Sequence, residues 1–416
     1  MDRSIGLSRR EFTIALGSAI ASVAFACRSA SELDDLAELV AGWLPRSGSP
    51  GVAVARVVGE ELTWARGFGW ADLASERPMT ADTIQNIGSI SKTITATAVM
   101  QQWEAGRFGL DDDVNGLLPF AVRNPRFPEV PITVRQLLTH RSSIADGPSY
   151  EKSYACGDPA VALGAWIEGY FTEGGASYDG EANFHQWAPG TPDPPEPPRA
   201  YSNVAFGLLG HLVERLSGQP FTQYCRERIF APLGMQASGW LTTEVDLARH
   251  AVTYSRLPDD FSPPPEGDSA PLLLAAGVPK SALVPGALVP HCLYSFYNYP
   301  DGLLRTSVTD LSRFLRAYSG RGGFEGGRIL ESETVDLMLS DTHFGRGLCW
   351  SSGEIGGELQ WGHGGGDPGI ATYMGFRPRD RVGAIVFCNF DSPEREGLQT
   401  VLGRLLASRS TAERAG

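Results

Sequence analysis

Ser89-Ile90-Ser91-Lys92 sets a hydroxyl and an amine three positions apart. If the run opens a helix, positions i and i+3 share a face and the two side chains can touch. A serine at a helix start also lies among free N–H groups that can stabilise an oxyanion. The amine can take the serine proton only when neutral. Lowering a lysine from about 10.4 to about 7 costs roughly 4–5 kcal/mol, which burial or a nearby cation can supply. Thr93–Trp103 is nearly all apolar or β-branched, so it predicts a buried helix that desolvates Lys92. The chain has three lysines, Lys92, Lys152 and Lys280, against 32 arginines. A lysine where arginine is the habit points to a proton that must come off. The same spacing recurs at Ser149–Lys152, but there Gly147-Pro148 precedes it, Glu151 sits beside the amine and no apolar helix follows. That copy is read as chance.

Two more runs carry chemistry. Tyr201-Ser202-Asn203 directly precedes a helical pattern, so Asn203 either caps that helix or faces a site. Trp361-Gly362-His363-Gly364-Gly365-Gly366 precedes a strand-like run, and its glycines either let a ligand approach the backbone or form a flexible hairpin. Gly364, Gly366 and Gly369 match the dinucleotide fingerprint in form, but strand residues follow where a helix is required. No G-x-S-x-G, C-x-x-C or H-E-x-x-H occurs, and the seven histidines are dispersed. Neither a metal nor another cofactor is expected.

Elements at both ends of the chain must hold these residues. Gly51–Val58 and Glu61–Phe68 read as a hairpin turning at Gly59-Glu60. Ile370–Phe376 and Arg381–Asn389 form a second strand pair, with a last helix over roughly Glu394–Ala407. The expectation is an α/β fold: one antiparallel sheet formed by both chain ends, flanked by helices, with an inserted, mostly helical subdomain over roughly 110–305. Helices are predicted at Val204–Leu216, stopped by Gly218, and after the capping pair Ser307 and Asp310. Residues 141–200 and 255–302 read as long irregular stretches with Pro-rich runs, which suits binding walls.

Composition narrows the partners. With 35 basic and 48 acidic residues, the net charge is −13 and no long basic run exists, so no nucleic-acid partner is expected. Arg9 and Arg10 precede an uncharged stretch, Phe12–Ala26, that ends in Ala24-Phe25-Ala26-Cys27. Residues 1–26 therefore read as a signal peptide of the twin-arginine type, making the protein periplasmic or a membrane-anchored lipoprotein. Cys27 fits a lipid-anchor position, although Ala24 replaces the usual leucine, so lipidation stays open. The five later cysteines are not a disulfide framework. Cys156–Cys292 is one candidate bridge that nothing in the sequence establishes.

Taken in order, S-x-x-K, Y-x-N and the His-Gly-Gly run resemble the serine β-lactamase and penicillin-binding-protein superfamily, in particular its class C-like and esterase members. The resemblance spans roughly residues 32–408 and includes Ile87-Gly88, Ile132–His140 and Pro232-Leu233-Gly234-Met235. It implies one hydrolase domain over 27–416. Ser89 would be the acylated nucleophile, Lys92 and Tyr201 would share its deprotonation, and Asn203 would position the substrate. His363, Gly364, Gly365 and Gly366 would line the substrate strand, with the Ser89 and Gly366 N–H groups forming the oxyanion hole. The departure is His-Gly-Gly in place of Lys-Thr-Gly, which removes a permanent cation and a hydroxyl used to hold a carboxylate. Histidine titrates near 6.5 unless its surroundings shift it, so any attraction to a carboxylate would fade as pH rises through that value. The expected activity is hydrolysis of a small ester or amide through an acyl-enzyme, esterase first. D-alanyl-D-alanine carboxypeptidase, D-aminopeptidase and β-lactamase are the enzymatic alternatives, and a non-catalytic cell-envelope binding protein is the other class.

Overall fold

The computed structural model describes residues 32–191, 201–262, 274, 278–340, 347–355 and 357–407. The expected signal peptide, Cys27 and the Pro-rich runs at 192–198 and 263–265 lie outside the described residues. The main helices are α1 (residues 32–47), α2 (Ser91–Glu104), α3 (Leu163–Phe171), α4 (Val204–Ser217), α5 (Val308–Ser319) and α6 (Arg395–Leu406). The main strands are β1 (Gly51–Val58), β2 (Glu61–Asp72), β3 (Arg77–Pro78), β4 (Ser351–Ile355), β5 (Glu358–Asp367), β6 (Ile370–Arg377) and β7 (Val382–Cys388).

Among the described residues these seven strands form one antiparallel sheet in the order β4-β5-β6-β7-β1-β2-β3. Both ends of the chain meet at its centre, where β1 pairs with β7 from Val52↔Cys388 to Val58↔Val382. The fold is thus the α/β arrangement expected. Side chains alternate across β1 because successive Cβ atoms point to opposite faces. Val52 and Val54 pack with Leu36, Val40 and Trp43 of α1 and with Val401 and Leu405 of α6. Ala53, Ala55 and Val57 join the larger core, which includes Leu311, Phe314 and Leu315 of α5.

Helix ends are closed by identifiable groups. Glu394 caps α6 by accepting from the Glu396 and Gly397 N–H groups at 2.7 and 2.9 Å. At the other end of α6 the buried Arg56 donates to the carbonyls of Leu405 (2.9 Å) and Ala407 (3.1 Å), where a cation also suits the helix dipole. Ser307 caps α5 through the Asp310 N–H at 3.1 Å, as its sequence predicts. Every residue of α2 from Ser91 to Met100 is buried, so these ten residues have no solvent face. Its threonines stay satisfied: Thr93 donates to Ile90 O, Thr95 to Pro300 O and Thr97 to Thr93 O.

The long stretch after residue 141 differs from its irregular reading in containing α3. Leu163, Trp166, Ile167 and Tyr170 are buried at helical spacing, but Gly164 and Gly169 weaken the local propensity that would announce a helix. A disulfide joins Cys156 to Cys292 and so ties the two long stretches together. Beside it, Ala155 pairs with Ser295 and Cys156 with Tyr294 in a short antiparallel ladder.

Candidate active site

A tight turn delivers Ser89 to the sheet. Gly88 has φ +54°, and a Cβ there would lie 2.9 Å from Gly366 N. Both the left-handed conformation and the close approach require glycine. The turn Gly88–Ile90 runs into α2, which presents Lys92 on the same face as Ser89. Gly365, expected to face a ligand, serves a different purpose. A Cβ at Gly365 would meet Ile87 O at 2.1 Å, so its bare backbone admits the turn that carries the serine. Gly366 has open space at its Cβ position. Gly366 N lies beside the turn that carries Ser89.

Lys92 is fully buried and makes four contacts. Its Nζ donates to Ser89 Oγ at 3.0 Å, Asn203 Oδ1 at 2.7 Å and Asp301 O at 2.8 Å, and it forms an ion pair with Asp301 Oδ2 at 3.3 Å. It also lies 5.0 Å from the centre of the Tyr201 ring. Burial, the largest influence, pushes the ammonium down, but Tyr201, Asp301 and Asp146 together hold it above the ordinary lysine value. This corrects the expectation that desolvation would leave Lys92 neutral. A carboxylate and a phenol at its side outweigh the burial, and an ammonium has no lone pair with which to accept the serine proton.

Asn203 is not the cap of α4; that role falls to Asp146. The Asp146 carboxylate accepts from the Asn203 N–H at 2.8 Å and the Val204 N–H at 3.0 Å. It also accepts from Asn203 Nδ2 at 2.9 Å, which turns Asn203 Oδ1 toward Lys92. Tyr201 stacks on His140, with ring centres 4.1 Å apart, and His140 Nδ1 accepts the Ser202 N–H at 3.2 Å. By contrast, Ser149 bonds Ser177 O and Lys152 is exposed, so that second S-x-x-K makes no pair.

A cleft of about 560 Å³ opens over Ser89, with Tyr201, His363, Gly364, Leu138, Trp350 and Tyr373 in its wall. No lysine or arginine is among its described lining residues. His363 Nδ1 lies 2.7 Å from Gly364 O, and since a carbonyl only accepts, Nδ1 carries the proton. Partial burial in the cleft wall and the nearby Lys92 charge depress His363 to about 4, below the 6.5 of an unshifted histidine, so it is neutral at neutral pH.

The wider sequence carries the same arrangement, for residues 33–408 match the family model described as Beta-lactamase. The chain belongs to the beta-lactamase family. It is 30% identical over 73% of its length to Esterase EstB of Burkholderia gladioli, covering 77% of that protein. To Penicillin-binding protein 4 of Amycolatopsis lactamdurans it is 28% identical, over 75% of this chain and 73% of the relative. The D-amino acid amidase from Ochrobactrum anthropi SV3 shares the fold, with a TM-score of 0.67 at 23% identity, covering 89% of this chain and 97% of the amidase. As a member of this family the chain is a serine hydrolase.

Asp146 and Asp301 escape a reading by motif, whereas His140 closes the Ile132–His140 run. Asp146 stands 57 positions from the asparagine it orients, and Asp301 stands 209 from Lys92. Neither has a local partner whose spacing would single it out.

Proposed function

We propose that the protein is an esterase that hydrolyses small uncharged esters through an acyl-enzyme on Ser89. Tyr201 takes the Ser89 proton as general base, and the Lys92 cation beside its ring favours that transfer. The carbonyl oxygen of the ester gathers negative charge between the Ser89 and Gly366 N–H groups. Tyr201 then returns the proton to the departing alkoxide, and a water molecule repeats the sequence to release the acid. The observation that carries the preference for uncharged substrates is the cleft wall. It offers no lysine or arginine among its described residues, and its His363 is held neutral.

Rates for a neutral short-chain ester, nitrocefin, a D-Ala-D-Ala peptide and a D-amino acid amide test this reading, with a fluorophosphonate to label the nucleophile. The ester is expected to have the highest kcat/KM, and Ser89→Ala is expected to abolish labelling. A preference for the peptide or nitrocefin would overturn the substrate assignment. We also propose that the protein is exported. The Cys156–Cys292 bridge supports this reading, since disulfides persist mainly in oxidising compartments.

A further inference from the structure

The cleft over Ser89 draws its wall from both faces of the sheet. Successive side chains of β5 point to opposite faces, so Trp361, His363 and Gly365 share one face and Gln360, Gly362 and Gly364 the other. Packing distinguishes the two. A Cβ at Gly365 would meet Ile87 O at 2.1 Å, beside the turn that carries Ser89, whereas one at Gly362 would meet the Tyr373 hydroxyl at 2.9 Å. Tyr373 stands opposite Gly364 on β6 and packs against the cluster of α1 and α6, on the face away from Ser89. Gln360, Gly362, Gly364 and Tyr373 nevertheless line the same cleft as Ser89, Tyr201 and His363.

An open strand edge joins the two sides. β4 pairs with β5 from Ser351↔Gly362 to Ile355↔Glu358, so from His363 onward that edge of β5 has no partner strand among the described residues. Gly364 is exposed on this edge, with the nearest atom to an added Cβ 3.8 Å away, and at Gly353 and Gly366 nothing lies within 4 Å. The far compartment therefore has a floor of bare backbone and a wall made by the Tyr373 ring. Its polar group is Gln360, only 7% exposed. Tyr373 OH donates to Gln360 Oε1 at 2.7 Å, and burial holds the phenol above its ordinary value, so it keeps that hydrogen. Gln360 Nε2 carries two hydrogens and makes no hydrogen bond among the described residues. Buried polar groups are rarely left unpaired, and this side chain borders the cleft.

We propose that the cleft continues over the open edge of β5 into a second compartment on the far face of the sheet. This compartment binds the distal part of the substrate, an extended uncharged chain whose oxygen acceptor meets Gln360 Nε2 beside the Tyr373 ring. The proposal rests on the Ser89 esterase reading given above and names the longer esters that the same cleft prefers.

The chemistry of the lining selects such a chain. No Asp, Glu, Lys or Arg is among the described lining residues, so a charged tail would lose its hydration without a partner. An alkyl tail covers the Tyr373 ring but leaves the Gln360 N–H groups unmet and shuts water away from them. An ether or carbonyl oxygen in the tail satisfies both. Gln360 precedes His363 by three positions, about 10 Å along β5, so the acyl group of an acetate ester falls short of it.

Matched esters test the compartment. One series carries alkyl chains of increasing length, and in a second ether oxygens replace methylene groups, with the chain placed first on the acyl side and then on the alcohol side. In wild type the short members of both series are expected to react alike. Among the long members, in one of the two placements, the ether ester should gain about 2–10-fold in kcat/KM, the worth of one neutral hydrogen bond. Gln360→Met has no N–H, and Gln360→Glu keeps an acceptor for Tyr373 OH but no donor, so both should lose the ether advantage. Gly364→Val fills the crossing point and should lower the ratio of long to short esters in both series. Calorimetric binding of a long ether ester to Ser89→Ala reads the compartment without turnover, and adding Gln360→Met should weaken it by the same factor. Equal rates for ether and alkyl chains at every length and placement, an ether advantage that survives both Gln360 variants, or equal affinity in the two calorimetric proteins would overturn the compartment. If no ester reacts and a fluorophosphonate leaves Ser89 unlabelled, the esterase reading falls instead, and the calorimetry alone decides the compartment.

Discussion

The two faces of the sheet bury similar apolar residues but treat charge in opposite ways. On the face covered by α1 and α6, Arg56 is buried among aliphatic side chains, and its guanidinium closes the end of α6. That charge bonds two carbonyls at the end of α6 and lies 3.8 Å from the half-exposed Glu32 carboxylate of α1, so it ties two helices to the sheet. On the face covered by α5, the larger core also holds Lys92 and Asp301, buried as an ion pair. Replacing a buried ion pair by apolar residues is often neutral or stabilising, so stability alone gives little reason to keep one. The first face uses its charge to hold helices in place, and the second carries an ion pair that the proposed reaction uses.

Substitutions that separate turnover from stability test this division. The largest effect is expected from Ser89→Ala, a loss of turnover on the order of 10⁶-fold by analogy with other serine enzymes, with the melting temperature little changed. A comparable loss on the α6 face would break the comparison. Tyr201→Phe removes the proposed base but keeps the ring against His140, and a loss of about 10²–10⁴-fold in kcat is expected. Full activity in that variant would return the base role to Lys92. Leu405→Ala, fully buried on the α6 face, should cost about 2–5 kcal/mol of stability in denaturant unfolding. Its kcat at 25 °C should change little, since Tyr373 is the one described cleft residue that packs against that cluster.

These expectations also show where the sequence was informative. The sheet strands and α2 were legible because alternation and a continuous apolar run are local patterns. Ser89 and Lys92 were legible because three positions bring them to one helix face. Asp146 and Asp301 were not, since Asn203 and Lys92 reach them only when distant segments meet. The glycine run was read correctly as allowing close approach, but Gly365 admits the Ile87-Gly88 turn instead of a ligand. Side-chain type identified His363 as titratable, whereas its range depends on burial and on Lys92, a charge that stands 271 positions away.

The smallest expected effect lies at His363 and sharpens the contrast between the neutral cleft wall and the charged floor behind it. With His363 depressed to about 4, the wild-type cleft gains no cation from it at ordinary pH. The ratio of kcat/KM for a carboxylate-bearing ester to that for its neutral counterpart should therefore be flat between about pH 5.5 and 7.5, the span in which an unshifted histidine would titrate. His363→Lys gives up the bond to Gly364 O and places a permanent cation in the wall. A hydrogen bond to a charged group contributes about 1.5–3 kcal/mol, so the ratio should move toward the anionic ester by about tenfold or more. The neutral ester should change little, because it has no group for the new charge to hold. A wild-type ratio that falls through pH 6.5 would mean that His363 is protonated at the lower end. The preference for uncharged substrates would then lose its basis.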